Sequence, residues 1–152
     1  MTVLEAELVK RPELIQPNRP WMRVMLAVSG LCLLGLFGVA RFLSPDPSGF
    51  GTHEQLGMMP CGFKLMFGIP CPSCGMTTSW SWLVRGEISH ACQTHFGGVL
   101  LGVFCGVLAI GSIASGIRGR WFPCLPSGFW WGLVLGGIGV AILGTWFLKL
   151  WT

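Results

Sequence analysis

Three cysteines in the middle of the chain are the residues best suited to chemistry. Cys71 and Cys74 belong to the run Pro-Cys-Pro-Ser-Cys-Gly, and Cys61 lies ten positions before the first of them. Thiolates can bind a metal ion, pair as a disulfide, or exchange electrons with other thiols. Each outcome requires the sulfur atoms to converge, so the elements around the cysteines decide which chemistry is open.

The first hypothesis is metal binding. A Cys-Pro-x-Cys-Gly run is typical of a zinc knuckle, and zinc takes about four ligands in tetrahedral geometry. Cys61, Cys71 and Cys74 supply three ligands, and His53 is the nearest candidate for the fourth. Further candidates, if the chain folds back, are His90, Cys92 and His95. The sequence leaves the cofactor undetermined, and zinc is the candidate if the cluster binds a metal.

The second hypothesis is thiol–disulfide chemistry. Cys71 and Cys74 precede a predicted helix start, and the amino end of a helix lowers the pKa of a thiol. The two could act as a redox pair with Cys61 as a partner thiol, and a structural disulfide is the simpler outcome. No βαβ pattern surrounds the motif, which argues against the usual redox fold and against an enzyme.

A third hypothesis is copper binding. Soft sulfur ligands suit Cu(I), and methionines surround the cysteines at positions 58, 59, 66 and 76. The simpler interpretation, which we favour, is that these methionines are apolar side chains near lipid.

Composition indicates that lipid is the main solvent of this chain. Hydrophobic residues make up 52% and charged residues 11%, whereas a soluble domain has about 25% charged residues. The net charge of +4 is modest and forms no basic face, which argues against nucleic-acid binding. Asp46, Glu54 and Glu87 are the only acids after position 13, a scarcity that argues against hydrolytic acid–base catalysis and proton-coupled transport.

Charge-free apolar runs predict three transmembrane helices, at about residues 21–43, 96–117 and 128–148. Residues 1–20 form a predicted N-terminal segment, and residues 21–152 a single membrane domain. Tryptophans mark the ends of these runs, as expected for indole rings at the headgroup level. They are Trp21, Trp121, Trp130, Trp131, Trp146 and Trp151.

The distribution of lysine and arginine predicts the orientation. Six lie on one side of the predicted spans, namely Lys10, Arg11, Arg19, Arg23, Arg118 and Arg120, and four on the other, namely Arg41, Lys64, Arg85 and Lys149. The positive-inside rule places the side with six in the cytoplasm. We therefore predict a multi-pass protein of the cell (inner) membrane with a cytoplasmic N-terminus and an extracytoplasmic segment over residues 44–95.

This extracytoplasmic segment divides into two parts. Prolines and glycines interrupt the stretch from Cys61 to Gly75, which predicts an irregular loop. A short amphipathic helix follows and ends at Gly86, with Trp80 and Trp82 suited to the membrane interface. The polar face predicted at the start of this helix consists of Thr77, Thr78, Ser81 and Arg85.

Glycines at four-residue spacing predict close helix packing within the membrane. They are Gly98, Gly102 and Gly106 in the second span, and Gly132 and Gly136 in the third. Such faces let two helices approach closely. We favour packing within the chain over a homo-oligomer or a membrane-protein partner.

The stretch from about Gly51 to Leu101 resembles a bacterial membrane family catalogued as domain-of-unknown-function family 2752. The resemblance rests on a first cysteine, then Cys-Pro-x-Cys-Gly-x-Thr, then a short helix and a span. Matching positions are Cys61, Cys71, Cys74, Gly75 and Thr77. The family often has Asn-Pro or His-Pro before this span, where the present chain has His95-Phe96. The resemblance implies an architecture and no particular chemistry.

These observations together predict an all-α membrane protein with three transmembrane helices, a short interfacial helix and an irregular cysteine-containing loop. The predicted function is an integral membrane protein with a structural cysteine cluster, either a metal knuckle or a disulfide. The alternatives are a membrane thiol–disulfide or metal-handling factor, and a small accessory subunit of a membrane complex.

Overall fold

The computed structural model describes residues 19–119 and 128–151, and all regular structure in these ranges is helical. The elements are α1 (Pro20–Phe42), a 3₁₀ turn (Thr52–Leu56), α2 (Gly62–Phe67), α3 (Met76–Leu83), α4 (Ile88–Arg118) and α5 (Gly128–Trp151). The predicted all-α fold is confirmed. One detail differs, because α2 lies inside the stretch for which the sequence predicts irregular backbone.

Three helices are long and apolar enough to cross a membrane. They are α1, α4 and most of α5, with mean hydropathies of 2.0, 2.2 and 1.9. Only 6% of the apolar window of α1 or of α5 is buried within the protein, as expected for helices solvated by lipid. The three-span prediction is confirmed. The N-terminal segment before residue 19 and the connection containing Arg120 lie outside the described residues, and the orientation stays a prediction.

Helix α4 starts earlier than the predicted span and is interrupted at His95. The backbone there has φ −162° and ψ 95°, which is extended, while the residues on both sides are helical. A short helix from Ile88 therefore leads through the break into the long apolar helix. Beyond the break, the His95 ring accepts the backbone N–H of Gly98 at its Nδ1, 3.0 Å away.

The described residues form two compact units, residues 19–34 with 106–119 and residues 35–105 with 128–151. In the first unit, α1 and the second part of α4 meet at glycines. A Cβ atom on Gly30 would lie 2.7 Å from the Ala109 carbonyl oxygen, and one on Gly116 would lie 2.8 Å from the Arg23 carbonyl oxygen. The absence of side chains there allows backbone-to-backbone approach. Arg23 also donates hydrogen bonds to the carbonyls of Gly116 and Ile117.

In the second unit, glycines at the start of α4 contact α3 and α5. Gly98 and Gly102 face α3, where a Cβ on Gly102 would lie 2.9 Å from Leu83. Gly97 faces α5, with Ile142 backbone atoms 2.7 Å from where its Cβ would be. Two glycines of the predicted face thus pack within the chain. The other three have open space around them among the described residues, namely Gly106, Gly132 and Gly136.

Candidate functional site

Two glycines with left-handed backbone turn the chain so that the three cysteines can meet. Cys61 immediately precedes α2, and the helix ends at Gly68, whose φ of 72° suits glycine. Cys71 and Cys74 then form a turn in which the Cys74 N–H donates to the Cys71 carbonyl at 2.9 Å. Gly75, with φ 92°, directs the chain into α3. The cysteine motif therefore folds as a turn between α2 and α3.

The structure brings together the sulfur atoms of all three predicted cysteines. The sulfurs of Cys61, Cys71 and Cys74 all lie within 4.8 Å of one another. The Cys71 thiol lies 3.3 Å from the Cys74 sulfur, within hydrogen-bonding distance. Two sulfurs on one tetrahedral zinc ion are about 3.8 Å apart, since each Zn–S bond is about 2.3 Å. The cluster therefore already has the dimensions of a three-thiolate metal site.

The histidines proposed as fourth ligands are not part of this sulfur cluster. His53 lines the same cavity as the three cysteines but is not in the group within 4.8 Å. His90 stacks against Trp82, with the ring centroids 5.0 Å apart. Both ring nitrogens of His95 are hydrogen-bonded to backbone groups. Cys92 also lies outside the cluster.

A cavity of about 650 Å³ opens beside the sulfur atoms. Besides the cysteines, its lining includes His53, Glu54, Met58, Lys64 and Thr77. Of the four methionines considered for copper, Met58 is the one that lines this cavity, while Met59 and Met66 are largely exposed. A ligand or water molecule can therefore reach the sulfurs from a side with both polar and soft donors.

The three thiols differ in acidity. The backbone amide of Lys64, in the first turn of α2, stabilises the thiolate of Cys61 and lowers its pKa to about 7, although it does not form a full capping hydrogen bond. Burial has the opposite effect on Cys74 and, with the hydrogen bond to Cys71, raises its pKa to about 12. Near neutral pH the Cys61 thiol is therefore about half ionised, while the Cys74 thiol stays protonated.

Two lysines bring positive charge to the region around the cluster. Lys149 of α5 and Lys64 of α2 lie over the ring of Phe50, at 4.7 and 5.4 Å from its centroid. The Lys149 ammonium lies 3.2 Å from where a Cβ on Gly75 would be, next to Cys74. Three thiolates on a divalent ion leave one negative charge, which nearby ammonium groups would stabilise.

The predicted polar face of α3 is largely turned into the protein. Thr78 is buried, with its hydroxyl 2.7 Å from that of Thr52, and Ser81 is also buried. Arg85 donates hydrogen bonds to the carbonyls of Ala40, Arg41 and Leu43 at the end of α1, and to that of Ser81. Thr77 lines the cysteine cavity. Thr78 thus bonds to the hydroxyl of Thr52, and Arg85 bonds to the last carbonyls of α1, which lack partners within the helix.

Sequence reasoning missed Ser79, and it gave His95 and Trp146 roles other than the ones that the structure shows. Ser79 is fully buried and its hydroxyl is within hydrogen-bonding distance of the carbonyls of Ala91 (3.1 Å) and His95 (3.2 Å). His95 and Trp146 donate to the carbonyls of Pro72 and Pro70 in the cysteine turn. The sequence signal that His95 supports the turn was weak, namely a histidine next to a predicted span boundary. Nothing in the sequence around Trp146 predicted its hydrogen bond to the turn.

Comparison with known proteins adds a family and no activity. No curated protein and no solved structure matches the chain. Residues 61–109 match the model of a family described as "Protein of unknown function (DUF2752)". The match begins at the first cysteine of the cluster and continues into α4, so it covers all three cysteines. The resemblance seen in the sequence is thereby confirmed, since residues 61–109 are similar to the DUF2752 family.

Proposed function

We propose that this chain is an integral membrane protein whose three-cysteine cluster binds a metal ion, zinc in the first instance. The bound ion would hold together the segment between α1 and α4. The observation that carries the proposal is the convergence of three sulfur atoms within 4.8 Å. A disulfide joins only two of them, whereas a metal ion would use all three.

The donor set supports a thiophilic ion over a hard one. Thiolates favour zinc or Cu(I), whereas magnesium and calcium prefer oxygen ligands. His53 lines the same cavity and is the proposed fourth ligand, and a water molecule would serve if the imidazole stays away. Because ligands must be deprotonated, metal binding releases protons, including the proton of Cys74, whose pKa is raised.

Metal analysis of the purified protein tests this proposal. We expect about one equivalent of zinc per 16.5 kDa chain, and less than about a tenth in Cys61→Ala, Cys71→Ala and Cys74→Ala. Cys32→Ala is the matched control, since it removes a thiol from α1 and should keep the metal. Wild-type protein with less than a few tenths of an equivalent of zinc, copper or iron would contradict the proposal.

The second candidate function is thiol–disulfide exchange, which the acidity of Cys61 favours. A thiolate is the attacking species in such exchange, and a pKa near ambient pH is favourable for attack. Cys61, with its pKa of about 7, would attack an incoming protein disulfide and release one of its sulfurs as a thiolate. Cys71 or Cys74, within 4.8 Å, would then lose its proton to solvent and attack the Cys61 sulfur of the mixed disulfide. This step forms a disulfide within the cluster and releases the second sulfur of the incoming protein as a thiolate, so the incoming protein is reduced and the cluster oxidised.

Alkylation as a function of pH tests the second candidate. At pH 7 about half of Cys61 is ionised, against about 1% of a thiol with a pKa of 9.0. In metal-free, reduced protein its labelling rate should therefore rise with a midpoint near pH 7, while Cys74 labels slowly up to pH 9. Equal rates for the two residues would count against it.

We also propose that the cluster faces the extracytoplasmic side of the cell membrane, on the distribution of lysine and arginine. An impermeant thiol reagent applied to intact cells should then label Cys61. Labelling of Cys61 only after cell lysis would indicate the opposite orientation.

A further inference from the structure

We propose that His95 and Trp146 are positioning residues that clamp the Cys71–Cys74 turn from two helices and so set the separation of its sulfur atoms. This inference rests on the proposed metal centre and extends it to residues outside the motif. It gives the membrane-spanning helices a defined role in the chemistry of the cluster.

The clamp consists of two hydrogen bonds to the carbonyls on either side of Cys71. The indole N–H of Trp146 donates to the Pro70 carbonyl at 2.7 Å, and His95 Nε2 lies 2.9 Å from the Pro72 carbonyl. Prolines have no backbone N–H to hold them in place, so this turn depends on its carbonyls for anchoring. Both anchors come from residues more than twenty positions away in the chain.

The hydrogen bonds of His95 define the state of its ring. Its Nδ1 accepts the backbone N–H of Gly98, so that nitrogen carries no proton. The proton of the neutral ring is therefore on Nε2, which donates it to the Pro72 carbonyl. With both nitrogens occupied and only 1% of the residue exposed, His95 supports the turn and is not a metal ligand.

The contact between α4 and α5 lies directly beside the clamp. Gly97 packs against the backbone of Ile142. A Cβ atom added to this glycine would lie only 2.7 Å from the Cα of Ile142. Gly97 is two residues from His95, and Trp146 is one helical turn beyond Ile142, on the same side of α5. The spacing of the two helices thus determines how far apart the two hydrogen-bond donors are, and the donors determine the position of the turn.

The test combines three substitutions in the clamp with a matched control. Trp146→Phe removes one donor, His95→Phe removes the other, and His95→Gln keeps one donor and one acceptor. Trp80→Phe is the control, because the single N–H of the Trp80 indole donates a similar bond, 2.8 Å long, to the Gly98 carbonyl and not to the turn. Zinc affinity is measured by chelator competition. Replacing cysteine-bound zinc with Co²⁺ adds a thiolate charge-transfer band that reports sulfur geometry.

We expect zinc affinity to fall about tenfold or more in Trp146→Phe and His95→Phe, with a changed Co²⁺ band, since supporting residues typically contribute 10–100-fold. His95→Gln and Trp80→Phe should stay close to wild type. Wild-type affinity in Trp146→Phe, or an equal loss in Trp80→Phe, would overturn the clamp. Trp146→Phe keeps an aromatic ring in a partly exposed position, so it tests the clamp even if His95→Phe fails to fold.

A second readout separates failure of the clamp from failure of the metal centre. In metal-free protein, alkylation of Cys71 and Cys74 should be several-fold faster in Trp146→Phe than in wild type or Trp80→Phe, because the turn is released. Absence of metal in the wild type would contradict the proposed function alone. Unchanged alkylation rates in Trp146→Phe would overturn the clamp alone.

Discussion

Both compact units of this protein have close glycine contacts between helices, and the second adds buried polar side chains. In the first unit, residues 19–34 and 106–119 of the described chain, glycines let the backbones of α1 and α4 approach each other directly. In the second unit, residues 35–105 and 128–151, Gly97 packs against α5 in the same way, and buried polar side chains also connect the elements. The largest fully buried side chains all belong to this second unit, namely His95, Thr52, Thr78, Ser79 and Ser81.

The difference shows what each kind of contact can specify. Close packing of glycine faces positions two regular helices, whose backbone groups are already satisfied internally. It cannot position an irregular turn, whose carbonyls need partners of their own. The second unit contains such a turn, at Cys71–Cys74, and side-chain donors from α4 and α5 hold it. The thiol cluster therefore lies in the unit that has the polar network.

Each unit also has an arginine that binds the end of a helix. Arg23 donates to two carbonyls at the end of α4, and Arg85 donates to three at the end of α1 and to one in α3. Positive charge at a helix carboxyl terminus is favourable, because the last carbonyls carry partial negative charge. The same interaction thus occurs in both units, with more bonds in the one that contains the site.

The largest expected effect comes from filling a glycine contact in the first unit. Gly116→Leu places a side chain where a Cβ alone would lie 2.8 Å from the Arg23 carbonyl oxygen. We expect a loss of about 3 kcal/mol in the free energy of unfolding, measured by denaturant titration in micelles, because the helices must separate. Gly106→Leu is the control on the same helix, with open space around it among the described residues. Equal losses in both variants would contradict the packing argument.

An intermediate effect is expected from the arginine of the second unit. Arg85→Met keeps the aliphatic bulk and removes the hydrogen bonds to four carbonyls, so we expect a loss of about 2 kcal/mol. Arg23→Met removes two such bonds and should cost about 1 kcal/mol. The same titration measures both. A larger loss for Arg23→Met would reverse the proposed ranking of the two units.

The smallest expected effect is the difference in stability between alanine variants of two serines of α3 that are both fully buried. Ser79→Ala removes a hydroxyl that bonds to α4 carbonyls and should cost about 1 kcal/mol. Ser81→Ala removes a buried hydroxyl with no hydrogen-bond partner in the described part of the chain, and should be neutral or slightly stabilising. If the two variants lose equal stability, packing rather than hydrogen bonding holds α3 in place.

Most of the architecture could be predicted from the chain itself. Apolar runs such as the one ending at Arg118 indicate membrane-spanning helices because length and hydrophobicity are local properties. The break at His95 and the inward orientation of Thr78 and Ser81 could not be predicted. A threonine or serine on a short helix has the same local pattern whether its hydroxyl meets water or a neighbouring carbonyl.

The amino-acid sequence alone determined that lipid surrounds the long helices of this protein and that there are three of them. It also determined which three cysteines could do chemistry together. These follow from composition and from a motif within a few residues. Only the tertiary structure decided that Cys61 meets Cys71 and Cys74, and that His95 and Trp146 anchor their turn. Contacts between residues far apart in the chain depend on how helices pack, and the pattern within a single segment contains no information about its neighbours.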